Sequence, residues 1–305
     1  MNSKVQSLKA FLGAAGRVAL VEVAGTKGST PREKGAFMLV SREAIFGTIG
    51  GGQLEYMAID KARQMVSPST RSGLANRLQS SSRIEVDEVC ATLDVPLGPE
   101  IGQCCGGRVE VLIRLVDAAL EAEMVLAAEA EEAHLPHVYL FGGGHVGQAL
   151  AAAMALLPVH AVVIETRAEA LEGMPETVET RLTPMPEAQV RDAPAGTAFA
   201  ILTHDHALDF LIVAEALKRG DSAYVGMIGS KTKKATFKNW FLKSAEGSEA
   251  EFARLVSPIG GDAVKDKRPT VIAALAAAEI MTALVLHAAP LTDPAEAPRN
   301  RAMAG

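Results

Sequence analysis

The chain has 305 residues, a length that suits two domains better than one. Hydrophobic residues make up 49% and charged residues 22%, as in a packed globular protein. A net charge of −6 with no block of five or more like charges argues against nucleic acid as the main partner, and 4% aromatic residues are too few to suggest a platform for stacked bases.

Lys4, Lys9, Arg17 and Glu22 punctuate the N-terminus, so it has no apolar region of signal length. From residue 17 to about 115, β-like runs alternate with glycine-rich turns. The runs are 18–23, 36–40, 45–48 and 108–115, the last with Val109, Val111, Ile113 and Leu115 on one strand face. Residues 55–66 read as a helix, 67–83 as an exposed loop and 117–134 as a connecting helix. From 137 the rhythm changes. Strands are expected at 137–141, 161–165, 198–202 and 224–228, with helices at 146–157, 207–219 and from about 231. The most apolar stretch, 271–286, is shorter than a bilayer requires and carries Glu279, which predicts a buried helix and no membrane span. The expected class is α/β. A mixed α/β domain (1–116) and a linker helix (117–136) precede a Rossmann-like, doubly wound parallel sheet (137–287) and a disordered tail (288–305).

The second domain opens with Phe141-Gly142-Gly143-Gly144-His145-Val146-Gly147, a glycine fingerprint between strand and helix. Gly142 allows a tight turn, Gly144 lets an anion approach the backbone, and Gly147 lets helix and strand pack closely. Glu165 ends the next strand, where a carboxylate could take a ribose hydroxyl pair, and nearby Arg167 leaves NAD against NADP open. The same loop could equally hold another anion or nothing. Thr203-His204-Asp205-His206 and Gly229-Ser230-Lys231 follow strand ends, where such sheets place ligands. His204 and His206 line that crevice or bind a metal; alternatively the loop is structural, with Asp205 capping the next helix.

Three segments of the first domain are unusual in composition: Gly28-Ser29-Thr30-Pro31-Arg32; Gly47-Thr48-Ile49-Gly50-Gly51-Gly52-Gln53-Leu54-Glu55; and Gly102-Gln103-Cys104-Cys105-Gly106-Gly107-Arg108. Gly50, Gly51 and Gly52 before a helix expose amides suited to a phosphate or a pterin edge, whereas any one segment alone would be read as a flexible turn. Cys90, Cys104 and Cys105 are too few and too odd in number for a disulfide framework, which fits a reducing compartment. In extended chain only one of Cys104 and Cys105 faces a given pocket, and Arg108 on the same side would favour its thiolate. Thiolate is a soft ligand for a transition metal, but adjacent cysteines make no zinc site. No Ser-His-Asp or paired-carboxylate arrangement is apparent.

These segments, across most of the chain, resemble the XdhC/CoxI family of accessory proteins of molybdenum hydroxylases. Gln53 and the double cysteine are most similar to the branch that serves xanthine dehydrogenase; the other branch tends to have cysteine at the position of Gln53 and a single cysteine aligned with Cys105. The resemblance implies a cytoplasmic, dimeric carrier rather than a catalyst. It would bind the molybdenum cofactor (molybdopterin), support its sulfuration with sulfur from a cysteine desulfurase, and insert it into apo xanthine dehydrogenase. It also implies a cofactor site among Gln103, Cys104, Cys105, Gly50, Gly51, Gly52, Gln53 and Glu55, with Gly142, Gly144, Gly147, Glu165, His204, Asp205, Ser230 and Lys231 in the second domain. Cys105 is the expected molybdenum ligand, because Gly106 and Gly107 leave room beside it and it aligns with the retained cysteine. The chain departs from the family pattern at Pro258-Ile259-Gly260-Gly261-Asp262-Ala263-Val264 and Arg268-Pro269-Thr270-Val271. The competing reading is an NAD(P)-dependent oxidoreductase using Gly142, Gly144 and Gly147.

Overall fold

The computed structural model describes residues 4–67, 83–86, 90–98 and 106–288. They fall into two compact units, within Asn2–Ala133 and His134–Gly305. The expected disordered tail, apart from Ala288, lies outside the described residues.

The first unit runs α1 (Lys4–Ala14), β1 (Ala19–Lys27), β2 (Phe37–Val40), β3 (Ile45–Gly47), α2 (Gly52–Val66), β4 (Arg83–Val86), β5 (Cys90–Pro96), β6 (Arg108–Leu115) and α3 (Ala118–Ala133). Its strands form an antiparallel sheet in the order β3-β2-β1-β6-β5-β4. Period-two alternation sorts the faces. Val21, Val23, Ala91, Leu93, Val95, Val109, Val111 and Ile113 are buried together with Leu54, Ala58 and Ala62 of α2. On the other face Leu20 and Leu39 meet Leu8 and Leu12 of α1, with Leu120 and Met124 of α3 packed against them. The helix expected as a connector is therefore part of this unit's packing. Its ion pairs to α1, Lys4–Glu131 at 2.8 Å and Lys9–Glu129 at 2.6 Å, are exposed and add little to those apolar contacts.

The second unit runs β7 (His137–Phe141), α4 (His145–Met154), β8 (His160–Glu165), β9 (Glu179–Leu182), α5 (Pro186–Arg191), β10 (Ala198–Ile201), α6 (His206–Lys218), β11 (Tyr224–Met227), α7 (Lys231–Lys243), α8 (Glu249–Phe252), β12 (Leu255–Val256) and α9 (Pro269–Ala288). Six parallel strands lie in the order β12-β11-β10-β7-β8-β9. Helices cover both faces, as the continuous apolar runs of β7, β8, β10 and β11 require. Leu150 and Met154 of α4 and Ala276 and Ile280 of α9 lie in one core, and Ile212 and Leu217 of α6 and Phe237 of α7 in the other. Strand order reverses between β7 and β10, so the crevice opens at the carboxyl ends of those strands. This is the doubly wound sheet expected from the sequence.

Helix α9 extends past 271–286 at both ends. With 20 residues and an 18-residue stretch of mean hydropathy 2.0 it would suit a bilayer by length and composition, so length does not exclude a span as the shorter run suggested. It is tied to this unit by Ala273, Ala276, Ala277, Ile280 and Leu284, which are buried in the core. Glu279 accepts hydrogen bonds from Tyr224 Oη (2.8 Å) and the Gly260 amide (2.7 Å).

Beneath the crevice lies a buried ion pair that no sequence motif announced. Lys233 Nζ meets Asp209 Oδ2 and also donates to the Ile228 carbonyl at 3.0 Å. Asp209 Oδ1 accepts from the Thr203 amide (3.1 Å) and hydroxyl (2.6 Å). The pair ties the loops after β10 and β11 to the starts of α6 and α7. Because a buried carboxylate stripped of its partner is costly, Lys233→Met should lower unfolding free energy by about 3–5 kcal/mol. Adding Asp209→Asn should recover part of the loss, since the amide oxygen still accepts from Thr203. Urea unfolding of the three proteins is the check, and an unchanged Lys233→Met would refute this role.

Candidate functional site

In the first unit the three glycine segments converge. Gly107 is packed so closely on the strand-end residues that an added Cβ would collide with the carbonyl oxygens of Lys27 and Ser29. At Gly50, with φ +125°, a Cβ would fall 2.8 Å from Pro31 Cγ. Segment 28–32 thus touches Gly50 on one side and Gly107 on the other. The β5–β6 hairpin closes just beyond its strands, with Gly106 N donating to Leu97 O and Leu97 N to Gly107 O, both at 2.8 Å. Gln103, Cys104 and Cys105 lie outside the described residues, but Cys105 is bonded to Gly106 at this junction. Among the described residues nothing stands within 4 Å of where a Cβ on Gly106 would lie, and the Gln53 side chain is exposed.

Glu55 has a different role from the one expected. Its Oε2 accepts from Thr48 Oγ1 (2.5 Å) and from the amides of Gly51 (3.0 Å) and Ile49 (3.2 Å). Thr48 Oγ1 in turn accepts from the Gly50 amide at 3.1 Å. The amides read as an anion cradle are therefore partly filled by the loop's own carboxylate, and Glu55 shapes the loop instead of facing a ligand. Arg108 is also committed. Its bidentate contact with Asp94, 2.5 Å on each arm, holds the Asp94 carboxyl below its ordinary range and uses the charge expected to favour a thiolate.

In the second unit Gly142 follows β7 with φ +114°, and its amide donates to Ile164 O at 2.9 Å. Gly147 presses on Gly142, whose carbonyl oxygen any Cβ there would strike. Gly144 caps α4 without a side-chain cap, at an ordinary φ of −67°, with open space at its Cβ. Each glycine thus has the geometry its motif position requires. Glu165 is only 4% exposed and is fully engaged. Oε2 accepts from the Gly143 amide (2.9 Å) and Arg167 Nη2 (3.2 Å), and Oε1 from the amides of Thr166 (2.7 Å) and Arg167 (3.2 Å). Burial pushes this carboxyl up, but the Gly143 amide, Arg167 and Thr166 outweigh it and hold it at about 2. It pins the glycine loop through these contacts, a role the motif did not announce.

The remaining predicted residues line the same edge of the sheet. Asp205 caps α6, accepting from the amides of Ala207 (2.8 Å) and Leu208 (3.3 Å), which is the structural reading of that loop. His204 and His206 are exposed, and no group of three His, Cys, Asp or Glu among the described residues could hold a metal. Ser230 caps α7 through the Lys233 amide (3.2 Å). Lys231 is 87% exposed and stands 3.6 Å from Asp262, so Lys233, two residues on, is the buried cation here. Spacing could not separate the two lysines; only the packing of α7 does.

Residues 138–280 match the profile of the XdhC Rossmann domain and residues 12–74 that of the XdhC and CoxI family. The chain belongs to the XdhC and CoxI family. Both glycine-rich sites fall largely inside the matched stretches. The chain is also similar to the uncharacterized protein YqeB of Escherichia coli (strain K12), 24% identical over 272 residues. That alignment covers 86% of this chain and 43% of YqeB, so the chain spans less than half of that relative's length. The crystal structure of a xanthine dehydrogenase from Bacillus halodurans, at 2.80 Å resolution, shares the fold with a TM-score of 0.74. Its identity is 17%, over 96% of this chain and 98% of that one.

Two predictions follow from the family's glycine loop as it is built in this member. Gly147→Ala should destabilise the second unit by several kcal/mol, while Gly144→Ala should stay within about 1 kcal/mol of the parent; thermal melts giving equal losses would contradict the geometry. Glu165 is held down in the folded chain from an ordinary value near 4.5, so its contribution is complete above that pH. It is lost as pH falls towards about 2, by at most about 3 kcal/mol. Glu165→Gln should therefore show a shallower loss of stability than the parent between those limits, measured by denaturant midpoints; parallel curves would refute the assignment.

Proposed function

We propose that the protein is an accessory protein of xanthine dehydrogenase maturation that binds the molybdenum cofactor, supports its sulfuration and delivers it to the apoenzyme. Family membership supports the maturation role. The observation that carries the binding reading is the convergence of segment 28–32, Gly50 and Gly107 at one end of the first sheet, with Cys105 joined to Gly106. Exposed Gly106 leaves room for the flat edge of a pterin, and exposed Gln53 can hydrogen-bond it. Cys105 would hold the metal through its thiolate. When bound, the cofactor would supply a molybdenum centre as the acceptor of the sulfur. The chain's part is to bind and orient it; a cysteine desulfurase is the sulfur source, and a homodimer in the cytoplasm is the working form. Against the oxidoreductase alternative, a ribose at Glu165 would have to displace donors that now hold the glycine loop.

The full chain incubated with free molybdopterin cofactor should take it up, followed by pterin fluorescence and visible absorbance. Cys105→Ser should lower affinity about tenfold or more with an unchanged melting temperature, as expected for loss of a soft metal ligand, and Cys104→Ser should change it little. Equal losses in the two variants, or parental affinity in Cys105→Ser, would overturn the cysteine assignment. Failure of the parent to bind would overturn the cofactor reading itself.

A further inference from the structure

The carboxyl edge of the second sheet has another recess, apart from the glycine fingerprint. It lies between Gly229-Ser230-Lys231, which follow β11, and residues 258–267, which follow β12, and encloses about 600 Å³. Its floor is apolar, formed by Ile228, Ile259 and Ile272. Its walls are fixed from below. Lys233 donates to Ile228 O, Lys234 to Ser257 O at 3.3 Å, and Glu279 accepts from the Gly260 amide at 2.7 Å. Ser230 caps only the Lys233 amide, which leaves the first amides of α7 without intrahelical partners.

The mouth of this recess is cationic on a chain whose net charge is −6. Asp266 is occupied by Arg268 at 2.5 Å, and Asp262 is shared only loosely with Lys231. Lys265 and Lys267 also line the recess, and neither forms an ion pair among the described residues. Unpaired lysines over a pre-formed apolar floor suit a ligand with an apolar body and a compact, multiply charged anionic end.

We propose that this recess binds a phosphate-bearing ligand, whose anionic group is held by Lys265, Lys267 and Lys231 at the start of α7. The site lies within the second unit and shares only Ser230 and Lys231 with the residues implied for the cofactor; Lys265 and Lys267 are new to it. Its ligand class is the phosphate ester, whether carried by a pterin cofactor or by a nucleotide.

Inorganic pyrophosphate titrated calorimetrically into the full chain is the test. The parent should bind it, more weakly as salt rises. Lys265→Ala combined with Lys267→Ala should weaken binding about tenfold or more, as loss of charge-assisted bonds does, with the melting temperature unchanged because both side chains are exposed. The matching pair of arginine substitutions should retain binding, and Gly144→Val should leave it intact. No binding by the parent, or undiminished binding in the double alanine variant, overturns the proposal. Loss in Gly144→Val alone also overturns it, placing the anion at the glycine fingerprint. Displacement of the pyrophosphate by molybdopterin, by NADPH or by neither then tells a pterin phosphate from a nucleotide phosphate or another phosphate ester.

Discussion

A carboxylate that accepts the backbone amides of a tight turn is the interaction on which this molecule's functional surfaces depend. Glu55 does this for the turn at 48–51, Glu165 for Gly143, Asp209 for Thr203 and Glu279 for Gly260. Turns at strand ends present N–H groups that no ladder satisfies, and leaving them buried and unpaired costs about 1–3 kcal/mol each. A carboxylate can accept several such donors at once, and its negative charge suits their shared positive dipole. Where the carboxylate is itself deeply buried, a cation completes the arrangement: Arg167 beside Glu165, and Lys233 beside Asp209.

This internal use of anions changes how the glycine loops can work. A loop whose donors were all free would be shaped by its ligand; these loops are shaped before any ligand arrives. Such pre-organisation reduces the ordering entropy of binding. It also limits the ligand to what the carboxylates leave exposed. In the second unit the start of α4 at Gly144 has no side-chain cap, and in the first Gln53 and Gly106 are exposed.

Helix α9 shows the same economy in an apolar setting. Its composition would suit a lipid environment, yet Glu279 in its middle serves both Tyr224 and Gly260. One charged residue thereby joins the helix, the strand before the crevice and the loop that walls the neighbouring recess. The buried stripe of Ala273, Ala276, Ala277 and Ile280 lets α9 lie close to α4, and small side chains make that approach possible.

The sequence by itself determined the periodic and local features of the protein. The continuous apolar runs of β7, β8, β10 and β11, and the spacing of Gly142, Gly144 and Gly147, sufficed for the parallel sheet and its first turn, because strand burial and turn conformation are properties of neighbouring residues. Composition likewise singled out segments 28–32, 47–55 and 102–108. Strand β5 escaped notice because Asp94 and Pro96, residues common in turns, interrupt the eye along Ala91, Leu93 and Val95. Which polar side chains face a ligand and which face the chain was decided only by tertiary structure. Glu165 reaches Gly143 across 22 positions, and Lys233 reaches Asp209 across 24. Such partners are chosen by strand order and helix packing, so no local pattern can tell a carboxylate that awaits a ribose from one that already holds a loop.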